Sequence, residues 1–337
     1  MVRDKKVDTL KGIAIFLVVL GHVVAWCLFG GLSTQAERYA IPFNSIALWK
    51  TIYSFHMPLF LFLSGYLFMN PEKSYSIGHV IKRCITYMIP FFSAGILLAL
   101  WRGQSFQGYW YFRTLTEFTI VLFSLLWIFH KTYAPPKWVV YLLFVSVFKL
   151  IDHSVTSGSL FDTIFDIGHM DNCLYFGLGW LLRLYKIKVE KFILNQYMTF
   201  IALLGAFLCT IHGYTGRPAA ILWIILMINL ADTITRNKSS NYLTELGSET
   251  KFIYIIHPFL GIKVAYVGKW LIGLNDNGLM TNFVLQLFIA IPATFAMIWI
   301  TIKITRLIKS QYFTTFILMG EWNFIDRLNI QKSKVCE

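Results

Sequence analysis

Long apolar runs recur along the whole chain, broken at short intervals by polar and basic clusters. Ten of them approach the ~20 mostly apolar residues that a helix needs to cross a bilayer. They cover roughly residues 10–29, 47–69, 80–101, 112–130, 137–151, 170–185, 196–213, 217–235, 251–272 and 282–308. The fifth and sixth are the shortest. The expected fold class is therefore all-α: a polytopic integral membrane protein of about ten transmembrane helices. One membrane domain over 1–310 is expected, followed by a cytoplasmic C-terminal tail over 311–337. No internal repeat and no low-complexity linker is visible. The first run follows basic residues as a signal peptide would, but it is long and ends without a small-residue cleavage site, so it is expected to remain as the first spanning helix.

Composition strengthens this. Of 337 residues, 57% are hydrophobic and 14% charged, against about 45–50% and about 25% in soluble domains. A bilayer absorbs that apolar surplus and a soluble core does not. The net charge of +13 does not imply nucleic acid, which needs a basic patch on a solvated surface. Here the cations sit between apolar runs and set the orientation. With the N-terminus in the cytoplasm, 22 of the 30 lysines and arginines fall on the inner side, and both termini are cytoplasmic. The acids Asp152, Asp162, Asp166 and Asp171 then gather in one outer loop. The five cysteines are scattered, without metal-ligand spacing or a disulfide framework, so no metal is expected.

An ionisable side chain at membrane depth is costly and marks a functional site. His22 lies about 12 residues into the first run, ~18 Å from its inner edge, between small and apolar neighbours. His56, in Ser54-Phe55-His56-Met57-Pro58, lies at a similar depth when counted from the outer face. Pro58 loosens that helix and frees a carbonyl. His257 precedes Pro258 and is expected nearer the inner face. His79, His130, His153, His169 and His212 fall in loops or at helix ends. Lys11 marks the inner end of the first helix. Lys82 and Arg83 stand at the inner mouth of the third and can receive phosphates. Arg113 and Glu117 are four apart and can pair with each other.

These residues together resemble the acyltransferase family 3 of membrane proteins, bacterial O-acyltransferases of cell-surface glycans. Asp8-Thr9-Leu10-Lys11-Gly12 through Leu20-Gly21-His22 is similar to the family's first helix, which carries a basic residue, ten intervening positions and a histidine. Phe55-His56-Met57-Pro58 with Ser64-Gly65-Tyr66 resembles its second. Weaker blocks are Gly108 to Arg113, Tyr175 to Gly179, and Ile253-Tyr254 with His257-Pro258. The fucose 4-O-acetylase-like subgroup is the nearest resemblance. One departure stands out: where the family carries two arginines three apart, this chain has Arg83 and Thr86.

The resemblance implies transfer of an acyl group, most often acetyl, to a sugar hydroxyl. Acetyl-CoA would be a co-substrate, with no bound cofactor. It implies His22 and His56 as the catalytic pair, and Lys11, Arg83 and Lys82 on the donor side. Ser64, Tyr66, Trp110, Arg113 and His257 would line the cavity for the acceptor. The partners implied are acyl-CoA, a glycan or lipid-linked sugar and the lipid bilayer, with no nucleic acid. The location implied is the bacterial cytoplasmic membrane, crossed many times. A histidine titrating near neutrality suits proton abstraction from a hydroxyl, and a transient acyl-histidine is the alternative. Two rival functions remain open at this point: a multi-pass transporter of a small anion or glycan precursor, and a non-enzymatic subunit of a polysaccharide-assembly complex.

Overall fold

The computed structural model describes residues 4–29, 47–68, 75–106, 109–132, 135–154, 171–236, 242–273 and 283–322. Every described regular element is an α-helix, in the order α1 Lys5–Phe29, α2 Ala47–Tyr66, α3 Ile77–Arg102, α4 Trp110–Thr132, α5 Lys137–Ser154, α6 Cys173–Leu184, α7 Lys186–Ile193, α8 Gln196–Ile211, α9 Arg217–Arg236, α10 Tyr242–Gly273, α11 Phe283–Lys309 and α12 Tyr312–Met319. A helix overlies each of the ten apolar runs. Among the described residues, five of them carry segments long and apolar enough to cross a membrane: Lys5–Ala25, Ile77–Arg102, Trp110–Phe129, Arg217–Arg236 and Ala290–Lys309. Much of the acidic loop expected at 152–171 lies outside the described residues, Asp162 and Asp166 among them.

The outward faces suit lipid. On α8 the large residues Phe200, Leu203, Leu204 and Phe207 are exposed, while Ala202 and Ala206 are buried. Large side chains outward and small ones at helix contacts is the reverse of a soluble helix, and is what packing in hydrocarbon favours. The α3 helix likewise exposes Ile96, Leu100 and Trp101.

The chain forms two compact units. One is Met1–Phe60 with Ile187–Thr305, and the other is Leu61–Lys186 with Arg306–Glu337. In the first, α1 and α10 lie side by side. A Cβ on Gly12 would meet the Leu243 carbonyl oxygen at 1.8 Å, and one on Gly247 would meet the Asp8 carbonyl oxygen at 1.8 Å. Only glycine permits so close a backbone approach. The Thr9 and Thr244 hydroxyls bond at 2.8 Å on the same seam. These polar contacts explain why both helices start earlier than their apolar runs. Residues 5–9 and 242–247 lie outside the apolar runs but are helical in the structure. Asp4 also caps α1, its carboxylate accepting from the Lys6 N–H at 3.1 Å. Lys6 then reaches Glu190 at 2.6 Å and Asp232 at 3.0 Å, tying α1 to α7 and α9.

In the second unit the core is aromatic. The Phe118 ring lies 4.9 Å from Phe148 and 5.3 Å from Phe176, and Phe144 lies 5.2 Å from Phe148. Gly65 and Gly179 repeat the close approach, one against the Phe176 carbonyl and the other against that of Phe62. Of the stretch expected to be tail, residues 312–319 form α12, which packs on α3 through the Ser93 hydroxyl, and Trp322 just beyond it bonds Thr86 of α3.

Candidate functional site: a histidine pair between two parallel helices

The α1–α10 seam fixes the register of two histidines. His22 lies ten residues beyond Gly12, and His257 ten residues beyond Gly247. The pairs Thr9–Thr244 and His22–His257 share one residue offset, so the two helices run parallel. Ten residues are ~15 Å of helix, which carries both histidines to one level. There His22 Nδ1 and His257 Nε2 face each other at 2.8 Å. The ring centroids are 5.0 Å apart with planes 26° from parallel, so the rings meet nitrogen to nitrogen and not face to face.

Each partner is anchored in turn. His257 is wholly buried, and its Nδ1 donates to the Ile253 carbonyl at 2.8 Å. His56 is 2% exposed, and its Nδ1 donates to the Ile52 carbonyl at 2.9 Å. Both bonds reach one turn back along the histidine's own helix. A following proline accompanies each: Pro258 removes the helical N–H partner of the Tyr254 carbonyl, and Pro58 that of the Ser54 carbonyl.

Tyr53 lies between His22 and His56. Its ring lies 6.3 Å from His22 and 4.5 Å from His56. Gly21 makes the room, since a Cβ there would meet the Tyr53 ring at 3.0 Å. The structure thus corrects the expected pairing. His22 bonds to His257, and His56 approaches His22 through Tyr53. It also corrects the level of His257, which stands beside His22 and not nearer the inner face. The physical reason is that α10 begins at Tyr242, nine residues before its apolar run, and the glycine seam sets its register against α1. Lys11, on the same unit, pairs with the buried Asp8 at 3.2 Å.

The remaining candidate residues belong to the second unit. Arg83 donates from Nε to the Tyr87 hydroxyl at 2.9 Å, and from its other nitrogens to the carbonyls of Phe68 and Leu67. Its guanidinium lies 5.0 Å from the Phe68 ring. It therefore closes the C-terminal end of α2, where helical carbonyls lack partners. Thr86, where the family has its second arginine, accepts from the Trp322 indole N–H at 2.8 Å and donates to the Lys82 carbonyl at 2.8 Å. The Lys82 ammonium sits 4.9 Å over the Trp322 ring. Ser64 bonds the Tyr111 hydroxyl at 2.6 Å. Tyr66 carries the Arg183 guanidinium 5.2 Å over its ring. Trp110 packs edge-on against Tyr111 at 6.2 Å. Arg113 stands 4.0 Å from Glu117, as their spacing suggests. Just before α4, burial pushes the Tyr109 phenol above its usual range, with Arg102 opposing.

Tyr53, Tyr111 and the Ile253 carbonyl were not expected as site groups. One signal in the sequence does point to the histidine pair. Thr9-x-x-Gly12 precedes His22 with the same spacing as Thr244-x-x-Gly247 precedes His257.

Comparison with known proteins gives the family of the chain. The chain is similar to nodulation protein NolL of Mesorhizobium japonicum, with 38% identity over 90 residues, which is 26% of this chain and 22% of that protein. It is similar to nodulation protein NolL of Sinorhizobium fredii, with 43% identity over 89 residues and the same shares. The match thus spans about a fifth of the length of those relatives. No solved structure matches the chain. The acyltransferase domain pattern matches residues 4–303, nearly the whole chain and all of the histidine cluster, and the chain belongs to the acyltransferase family 3.

Proposed function

We propose that this protein is a membrane-bound O-acyltransferase. It moves a short acyl group, acetyl foremost, from cytoplasmic acyl-CoA to a sugar hydroxyl of a cell-surface or lipid-linked glycan. The observation that carries the proposal is the part-buried His22–His257 bond in a chain of an acyltransferase family. A sugar hydroxyl is a weak nucleophile at neutral pH, and a histidine beside it supplies the missing base. His22 takes the hydroxyl proton as the sugar oxygen attacks the thioester carbonyl. The new C–O bond forms, the C–S bond breaks, and the proton passes from His22 to the departing thiolate. His56, held by Ile52 and reaching His22 through Tyr53, orients the cluster. Lys11, Arg83 and Lys82 serve the donor, while Ser64, Tyr66, Trp110 and Arg113 serve the acceptor.

The chain crosses the bacterial cytoplasmic membrane ten times in this proposal, with both termini inside. The parallel run of α1 and α10 supports the count, because two parallel spans require an odd number of crossings between them. The ten runs supply seven.

The test uses purified protein in vesicles with acetyl-CoA and a lipid-linked glycan. Free CoA thiol and an O-acetyl mass shift on the glycan are expected together. Movement of a solute across the vesicle wall with neither product would overturn the proposal in favour of a transporter.

A further inference from the structure

We propose that His257 is a positioning residue that fixes the proton of His22 on Nδ1, so that Nε2 of His22 is the reacting nitrogen. The inference rests on the acyl-transfer function above and concerns how its base is made.

The argument follows the protons along one line of hydrogen bonds. The Ile253 carbonyl oxygen accepts only, so His257 Nδ1 must carry a hydrogen toward it at 2.8 Å. In a neutral ring the other nitrogen then holds a lone pair. His257 Nε2 is therefore the acceptor in the 2.8 Å contact, and His22 Nδ1 is the donor. With its proton on Nδ1, neutral His22 keeps its lone pair on Nε2. The backbone of α10 thus sets the tautomer of a side chain on α1 through one intervening ring. Only an imidazolium at His257 would reverse the contact, and that ring is wholly buried, so its charge would carry a heavy desolvation cost.

The consequence appears during transfer. When His22 Nε2 takes the hydroxyl proton, the ring becomes an imidazolium whose Nδ1–H still points at His257 Nε2. The developing charge is met by a fixed lone pair already in place, without reorganisation. When the proton leaves for the thiolate, the original tautomer returns. An orienting group behind a catalytic imidazole does the same work in the serine hydrolases, where forcing the wrong tautomer costs about 10⁴-fold in rate. A neutral histidine stabilises charge less than a carboxylate, so a loss of about 10²–10³-fold is expected here.

His56 makes the same backward bond, to Ile52. The bond to His22 Nδ1 comes from His257, so the proposal assigns the positioning role to His257.

Two measurements test it together. The first is nitrogen-15 NMR of the full-length protein in detergent with labelled histidine, the His22 signal assigned by its loss in His22→Gln. His22 protonated on Nδ1 is expected; His22 protonated on Nε2 overturns the proposal whether or not the protein is active. The second is steady-state kinetics of acetyl transfer. His257→Gln keeps an acceptor oxygen near the Nε2 position and should stay within about tenfold of wild type. His257→Leu removes the acceptor and should lose about 10²–10³-fold in kcat at nearly constant KM for acetyl-CoA. Equal rates in His257→Leu and wild type overturn the positioning role. A wild-type protein that transfers no acyl group fails the proposed function instead, and the NMR result still decides where the proton sits.

Discussion

Replacing Gly12 by alanine puts a methyl carbon 1.8 Å from the Leu243 carbonyl oxygen, 2.7 Å from its carbon and 3.0 Å from its Cα. All three atoms are backbone, so no side chain can swing aside. Ordinary contact begins at 3.4 Å, and α1 and α10 must part by about 1.5 Å to reach it. Overpacking of this kind costs about 1–3 kcal/mol. The functional effect is larger. The His22–His257 bond lies ten residues, ~15 Å, further along the same two helices. A comparable separation there stretches its 2.8 Å to roughly 4 Å, beyond hydrogen-bond reach. A misplacement of ~1 Å in a catalytic group can lower the rate about 100-fold. Gly247→Ala meets the Asp8 carbonyl in the same way and should behave alike. Gly78, with only the Ser76 hydroxyl at 3.7 Å, is the control and should tolerate alanine. Thermal unfolding in detergent and kcat for acetyl transfer measure both effects. Wild-type melting and wild-type kcat in both Gly12→Ala and Gly247→Ala would refute the claim that the glycine seam sets the histidine register.

Two further outcomes are expected. Tyr53→Phe keeps the ring between His22 and His56 and should stay within about twofold of wild-type kcat, whereas Tyr53→Ala should fall at least about tenfold in steady-state assays. Arg83→Ala strips a donor from the Leu67 and Phe68 carbonyls, a loss of about 1–3 kcal/mol that should lower the melting temperature by several degrees. Arg83→Lys keeps the charge without the planar fork, so it should keep more of the acetyl-CoA affinity than of the melting temperature. Titration with acetyl-CoA beside a melting scan separates the two roles.

The helices were legible because their apolar runs answer directly to the bilayer. Their starts were less so. Thr9 and Thr244 lie outside the apolar runs, yet they pair across α1 and α10, and Asp4 caps α1 from just before its first turn. The three histidines were legible from their cost in hydrocarbon. Their partnership was not, because depth counted along one helix says nothing of register between two. His22 was expected beside His56, but the close approach at Gly12 and Gly247 sets it beside His257. Arg83 shows the converse. Its position at an inner helix mouth was visible in the sequence, while its bonds to the end of α2 depend on a chain fold that no local pattern encodes. Thr86 likewise read as a missing arginine, and the structure gives its hydroxyl to Trp322, more than two hundred residues away.

The central claim, that His22 performs the chemistry, has one direct test. Surface glycans from cells carrying wild type, His22→Ala or His22→Gln, each at equal membrane abundance, are compared by mass spectrometry for O-acetyl groups. Acetylation in the wild type and none above background in either variant is the expected result. Full acetylation in either variant would contradict it.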